Sequence, residues 1–325
     1  MRYVIILLLF FFLTGCVSSP KISEKKLKNP QYQDVVLPDG QKVKGTDVHY
    51  YNIGNDILKS VVIHPDEKVR VVFPDNNSGE VDYISYYNNG VVKDAFIKSG
   101  SDSGIRIHTK RLVDNPKEVS YYQNGVLKKV TSSSDGFSLV LPDGQNSTIY
   151  AISYYDDSKI EAIFPLSDQK TVMPNGERLL SSEVRFNKKG NIERAWLYKD
   201  EMVTMPNGEK IKGEVVFYND NGSIKKIVTP TTEIKLPDNQ TVTISLVEFN
   251  NDKIDHILLA NKSKIKTPDG IEIKGSSLVD YYENGKIRTI LLDGITPISI
   301  GVQDNLLQIK YYLEYDKNGL LVNAN

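Results

Sequence analysis

Two turn signatures alternate along this chain about nine times, and that alternation restricts the fold to an array of one small unit. The first signature is Pro-Asp/Asn-Gly or Pro-Asp-Asn, at Pro38, Pro74, Pro142, Pro174, Pro206, Pro237 and Pro268. From Pro142 onward it recurs in steps of 32, 32, 31 and 31 residues. The second is an aromatic residue ahead of an Asn-Gly type turn, at Tyr51, Tyr87, Tyr122, Tyr155, Phe186, Tyr218, Phe249, Tyr282 and Tyr315, in steps of 31 to 36. In the ninth unit Gln303-Asp304-Asn305 replaces the proline turn. In the third, Ser101-Asp102-Ser103-Gly104 is the nearest substitute.

The leg from the first turn to the second is nearly constant: Gly40 to Gly54, Gly176 to Gly190 and Gly208 to Gly222 each span 14 residues, and Gly270 to Gly285 spans 15. The return leg varies more, from 18 residues (Gly190 to Gly208) to 20 (Gly285 to Asn305). A constant leg fits one strand held in register at both ends, and a variable leg fits a strand with a bulge or loop. Asn-Gly and Asp-Gly accept the positive φ of hairpin turns, and proline presets the bend. Between the turns, β-forming residues alternate: Val216 and Tyr218 oppose Val215 and Phe217, and Leu278 and Tyr282 oppose Val279 and Tyr281. No long segment of the mature chain has a helical period. The expected fold is all-β, an antiparallel meander or stacked β-hairpin repeat array of about nine units with roughly two strands each.

The 325 residues carry 40 basic and 41 acidic side chains, spread evenly for a net charge of −1. That balance offers no footprint for nucleic acid and no polybasic patch for anionic lipid. The amino terminus differs. Arg2 precedes an apolar run, Val4 to Leu13, that is short for a membrane span, and the run ends in Leu13-Thr14-Gly15-Cys16. This resembles a bacterial lipoprotein signal, which implies cleavage before Cys16 and acylation of that residue. An ordinary secretory signal with an incidental cysteine is the alternative. Cys16 is the only cysteine, so no intramolecular disulfide forms. The resulting organisation is a signal peptide at 1–15, a lipidated tether at 16–33 containing Lys21, Lys25, Lys26 and Lys28, and a continuous β-repeat domain at 34–325. Lipidation places the protein at the cell envelope, on a membrane surface and outside the cytoplasm. Val17 after the cysteine resembles sorting to the outer membrane where the cell has two membranes.

No catalytic, cofactor-binding or metal-binding residue is expected. His49, His64, His108 and His256 are isolated from one another, and no nucleophile elbow, phosphate loop or His-Glu-x-x-His motif occurs. Asp316-Lys317-Asn318-Gly319 has the look of a calcium loop. Its twelfth position, counted from Glu314, is Asn325, and turn chemistry accounts for the acidic residues. Asp156-Asp157 is the best local exception to the repeat and reads as a variant turn. An enzyme is therefore not expected, and surface is left. Adjacent strand residues face opposite ways, so each face carries an aromatic column. Cross-strand packing is the simpler role for both. The regular second column is expected to be buried. The first, Tyr50, Tyr86, Tyr121, Tyr154, Phe217 and Tyr281, lapses at Arg185 and Glu248 and is where a recognition stripe is expected.

The cadence from Asp39 to Gly54 resembles bacterial MORN-type repeats, whose variant class carries phrases such as Tyr281-Tyr282-Glu283-Asn284-Gly285-Lys286-Ile287. Gly45, Gly213 and Gly275 stand where that family has its second glycine. The resemblance implies an elongated array of β-hairpins for protein or membrane-surface interaction, with no catalytic residues. A vaguer likeness, without a specific motif, is to periplasmic lipopolysaccharide-transport proteins, which hold acyl chains along an apolar groove. The expected function is a non-enzymatic, membrane-anchored binding or scaffold module with a protein partner at the envelope. A lipid or lipopolysaccharide carrier is the alternative, and an unrecognised enzyme the third.

Overall fold

A computed structural model describes residues 31–325 except 52–56, 102, 134, 143, 261–262, 271, 275–276, 293–295, 300–305, 310–311 and 325. Cys16 and the signal region lie outside the described residues, as do Gly54, Gly275 and Gln303-Asp304-Asn305. The fold is all-β, a continuous antiparallel array of hairpins, with no helix among the described residues.

Most units open with a short strand that bends back at the proline turn; in the seventh it continues the preceding return strand as Ile224–Lys235. Gln33–Val36 pairs with the first half of Lys42–Tyr50, Arg70–Val72 with that of Ser78–Tyr86, and Lys170–Val172 with that of Arg178–Phe186. The second half of each outgoing strand changes partners. Ser78–Tyr86, for example, pairs with the return strand of its own unit, Val92–Ile97, and with that of the preceding unit, Leu58–Ile63. Repetition of this exchange builds one long main sheet. Each unit therefore uses three or four strands, where two were expected, because the variable return leg is itself broken into a main-sheet strand and the next short hairpin strand.

A one-residue bulge sits where the partners change, between Val81 and Tyr83, between Ile149 and Ala151, and between Ser181 and Glu183. The extra residue bends the strand and reverses which parity points inward. Leu179 and Ser181 are buried ahead of the bulge, and Val184 and Phe186 after it. The bend carries each proline turn back over the main sheet, against the second turn of the next unit. A Cβ on Gly90, Gly125, Gly190, Gly222, Gly285 or Gly319 would lie 2.8–3.8 Å from the ring of Pro38, Pro74, Pro142, Pro174, Pro237 or Pro268 respectively. The short hairpins thus cover one face of the main sheet and leave the other open. A single hydrophobic core runs between the two layers. At the bend the layers nearly touch: a Cβ on Gly45 would lie 2.3 Å from Val61 Cγ2, and one on Gly213 3.1 Å from Leu197 Cδ1 of the main sheet.

The third unit makes its first turn at His108-Thr109-Lys110, with Lys110 at φ +62 and its N–H donating to the Ile107 carbonyl. This corrects the expectation of a turn at Ser101 to Gly104. In that unit His108 stands where the other units have proline, and its ring meets Tyr154 edge-on at 4.9 Å. The Asp156-Asp157 exception is a turn as well: Ser158 takes φ +68 and Asp157 Oδ1 accepts from the Lys159 N–H. At Asp316 the carboxylate accepts from the backbone of Asn318 and Leu320, and the Leu320 bond leads in holding this carboxyl below its usual range.

Both aromatic columns are used, though not as the alternation predicted. The inward column lies four residues ahead of the turn glycine or its substitute: Tyr86, Tyr121, Tyr154, Phe186, Tyr218, Tyr281 and Tyr315 are all buried. In the seventh unit a two-residue turn at Asn251-Asp252, both with positive φ, places Phe249 in the same buried column. The residue after the inward aromatic is half-buried, except Asn250, which is exposed. Where it is tyrosine, its hydroxyl donates to the carbonyl of the next unit's inward aromatic. Tyr51 reaches Tyr86, Tyr87 reaches Tyr121 (3.0 Å), Tyr122 reaches Tyr154 (2.8 Å), Tyr155 reaches Phe186 (2.8 Å) and Tyr282 reaches Tyr315 (2.9 Å). This ladder satisfies a carbonyl in each neighbouring unit and locks the stacking of units.

Burial pushes the phenols of Tyr86, Tyr121, Tyr154, Tyr218, Tyr281 and Tyr315 upward, with Asp39, Asp75 and Asp238 adding to the effect at Tyr86, Tyr121 and Tyr281. Their folded values lie above the unfolded value of about 10. The unfolded chain therefore loses these protons first, and stability holds below about pH 10 and falls as pH rises past it. Urea unfolding followed at rising alkaline pH should show the midpoint flat and then dropping steeply. A midpoint unchanged well above the tyrosine range would contradict the burial of this column.

Candidate binding surface

The open face of the main sheet is built by residues flanking the inward column. One row, nearer the turns, holds Ser85, Ser120, Ser153, Arg185, Phe217, Glu248 and Asp280 on outgoing strands. Their cross-strand partners are Asp94, Lys129, Ala162, Arg194, Lys226, His256 and Thr289. A second row lies two residues deeper. It pairs Tyr83 with Phe96, Ala151 with Phe164, Glu183 with Trp196, Val215 with Val228, Leu246 with Leu258, and Leu278 with Leu291. From Trp196 to Leu291 this deeper row is apolar on every strand. Leu258 and Leu291 are 37% and 53% exposed, and the other five are half-buried. Seven neighbouring strands at ~4.8 Å make a stripe about 30 Å long.

Charges border this stripe in an ordered way. The Arg194 guanidinium lies over Trp196, 4.6 Å from the ring centroid, and Arg185 approaches the same ring at 5.5 Å. Arg185 is tied to Glu183 at 2.6 Å and to Glu161 at 3.5 Å. Its charge-assisted bond to Glu183 holds the guanidinium proton more firmly, while burial opposes this as the largest single influence. Arg194 Nε is buried without a hydrogen-bond partner among the described residues. Lys226 lies over Phe217 at 4.4 Å. One unit further on, His256 sits among Glu248 (3.2 Å), Asp255 (3.1 Å) and Asp280 (3.7 Å), and Asp280 also accepts from the Thr289 hydroxyl and faces Arg288 at 3.6 Å. Among the described residues no group of three or more His, Cys, Asp or Glu is arranged to hold a metal ion.

The expected recognition stripe is therefore not one surface. Tyr86, Tyr121, Tyr154 and Tyr281 are buried in the core, Phe217 is half-buried on the open face, and Tyr50 is 47% exposed. The grouping mixed two positions, because aromatic pairs occur in some units and single aromatics in others. Arg185 and Glu248 are not gaps in a column of aromatics; they belong to the charged row of the open face. The regular column proves equally mixed: Phe186, Tyr218, Phe249 and Tyr315 are buried, and Tyr51, Tyr87, Tyr122, Tyr155 and Tyr282 are the half-buried ladder. The apolar stripe escaped sequence reading, though the turn itself marks it. Counting back seven from Gly222 and Gly285 reaches Val215 and Leu278, and counting forward six reaches Val228 and Leu291.

No protein-family model and no curated protein matches this chain.

Proposed function

We propose that this chain is a lipid-anchored envelope protein whose β-repeat array is a non-enzymatic binding module, holding a protein partner on the open face of its main sheet. The observation that carries this reading is the apolar row from Trp196 to Leu291. Every unit buries its other apolar face under the hairpin layer, and an isolated exposed hydrophobe needs no explanation. A continuous stripe bordered by charge marks a protein contact. The lipid-carrier alternative needs an apolar channel. The space between the layers is instead filled by fully buried side chains such as Ile84, Tyr121, Tyr154 and Phe186.

The anchor is Cys16, with 17–33 as the tether. Replacing Cys16 with alanine is expected to move the protein from the membrane fraction to the soluble fraction and to abolish incorporation of a labelled fatty acid. In the same cells, a photo-crosslinking residue at Leu258 or Leu291 should yield a discrete protein adduct, and one at Val72 on the hairpin layer should not. Adducts formed only from Val72, or a lipid retained in stoichiometric amount, would overturn the binding-face reading.

A further inference from the structure

The charges along the apolar stripe change sign near its middle. Six residues of the row, Trp196, Val215, Val228, Leu246, Leu258 and Leu278, lie symmetrically about the boundary between Val228 and Leu246, which are direct cross-strand partners, and Leu291 extends one strand beyond them. At that same boundary the charge of the face inverts. The strand before it carries Lys225 and Lys226, and the hairpin after it carries Glu248 and Asp255. Lys226 and Glu248 are themselves cross-strand partners, yet they do not join: Lys226 turns onto Phe217 and Glu248 takes His256. In net charge the face thus has a basic half, with Arg185, Arg194, Lys225 and Lys226 against Glu183, and an acidic half, with Glu248, Asp255 and Asp280 against Arg288, and they meet near the middle of its apolar row.

We infer that the open face is a two-fold interface between two copies of this chain, centred on the Val228–Leu246 pair. Rotation by a half-turn about that point lays Val228 on the partner's Leu246, Val215 on its Leu258 and Trp196 on its Leu278. It also lays the lysines of each copy on the carboxylates of the other. An isologous contact requires such self-complementarity, and a face of uniform charge would repel its own copy. Two sheets packed this way lie about 10 Å apart with their side chains interdigitated. The inference rests on the binding-face reading above and names the partner.

The test uses the full-length protein purified in detergent and sedimented over a range of concentrations. The wild type is expected to dimerise, and to do so less in high salt, since screening weakens the cross-interface pairs. K225E/K226E and E248K/D255K, each with an unchanged far-ultraviolet circular dichroism spectrum, should each self-associate at least ~10-fold more weakly. Mixing those two variants should restore a one-to-one dimer, because one face then carries a net acidic and the other a net basic charge. A wild type that stays monomeric, or a dimer indifferent to both reversals, would overturn the inference. A monomeric wild type whose Leu258 probe still captures a different envelope protein would overturn it while leaving the binding-face reading standing. Loss of every open-face adduct would remove both.

Discussion

Replacing Tyr121 by alanine is expected to destabilise the array by about 3–5 kcal/mol, the range for deleting a large buried aromatic. The ring is fully buried and stacks on Phe73 of the preceding unit at 5.7 Å. Its hydroxyl donates to Asp75 Oδ1 at 3.0 Å, in the proline turn of that same unit. The substitution therefore empties a site between two units and unties both from one turn. Tyr121→Phe keeps the packing and loses only the hydrogen bond, so it should cost about 0.5–1.5 kcal/mol. Tyr154 provides the control: its ring is as deeply buried, but its hydroxyl has no hydrogen-bond partner among the described residues. Tyr154→Phe should leave stability unchanged or raise it slightly, because the unfolded chain no longer surrenders a hydrated hydroxyl. Urea midpoints of the three variants, compared with the wild type, separate ring from hydroxyl. Equal losses for Tyr121→Phe and Tyr121→Ala would refute the assignment of the larger share to packing.

Alanine at Gly285 should be far more damaging than alanine at Gly176, although both glycines close a turn at positive φ. Gly285 has φ +78 and Gly176 has φ +84, so both substitutions incur the left-handed penalty of about 1–2 kcal/mol. They differ in what the new methyl meets. At Gly176 nothing lies within 4 Å, whereas at Gly285 the Cβ would sit 2.8 Å from Pro237 Cβ in the turn of the preceding unit. That overlap forces the two turns apart and adds about 1–3 kcal/mol. Gly285→Ala combined with Pro237→Ala should recover part of the difference, since the ring is the obstacle. If Gly176→Ala and Gly285→Ala lose stability equally, the turn-on-turn contact between units is wrong. In a repeat array such losses also stay partly local, so hydrogen exchange should rise most in the units flanking residue 285.

Much of the fold was legible because turns speak through few residues. Proline, glycine and asparagine at fixed spacing gave the period, the number of units and the antiparallel class without reference to packing. The same economy explains the miss at His108-Thr109-Lys110. A turn that uses a positive φ at lysine, with His108 in the proline position, carries no composition signal. The bulge itself is invisible to alternation, which held from Val215 to Tyr218 and from Leu278 to Tyr282. Alternation assumes an unbroken two-residue period, and one extra residue at Asp82, Tyr150 or Ser182 reverses it for the rest of the strand. Tyr86 and Tyr121, expected on a recognition stripe, are core because the columns read from the sequence mixed the inward aromatic with the residue after it, and Trp196 and Leu258, unremarked in the sequence, are on the open face.

The sequence by itself determined the unit, its repetition and its strand-and-turn character, because each of these follows from local chemistry within one unit. Only the tertiary structure decided which face of each strand is buried. That outcome depends on how the proline hairpin of one unit folds over the inward aromatic of the next. It is a contact between residues such as Asp75 and Tyr121, 46 positions apart, governed by a bulge that bends the strand. The open face exists as a consequence: with one side of the sheet capped by hairpins, no described residue of the hairpin layer covers the apolar row from Trp196 to Leu291.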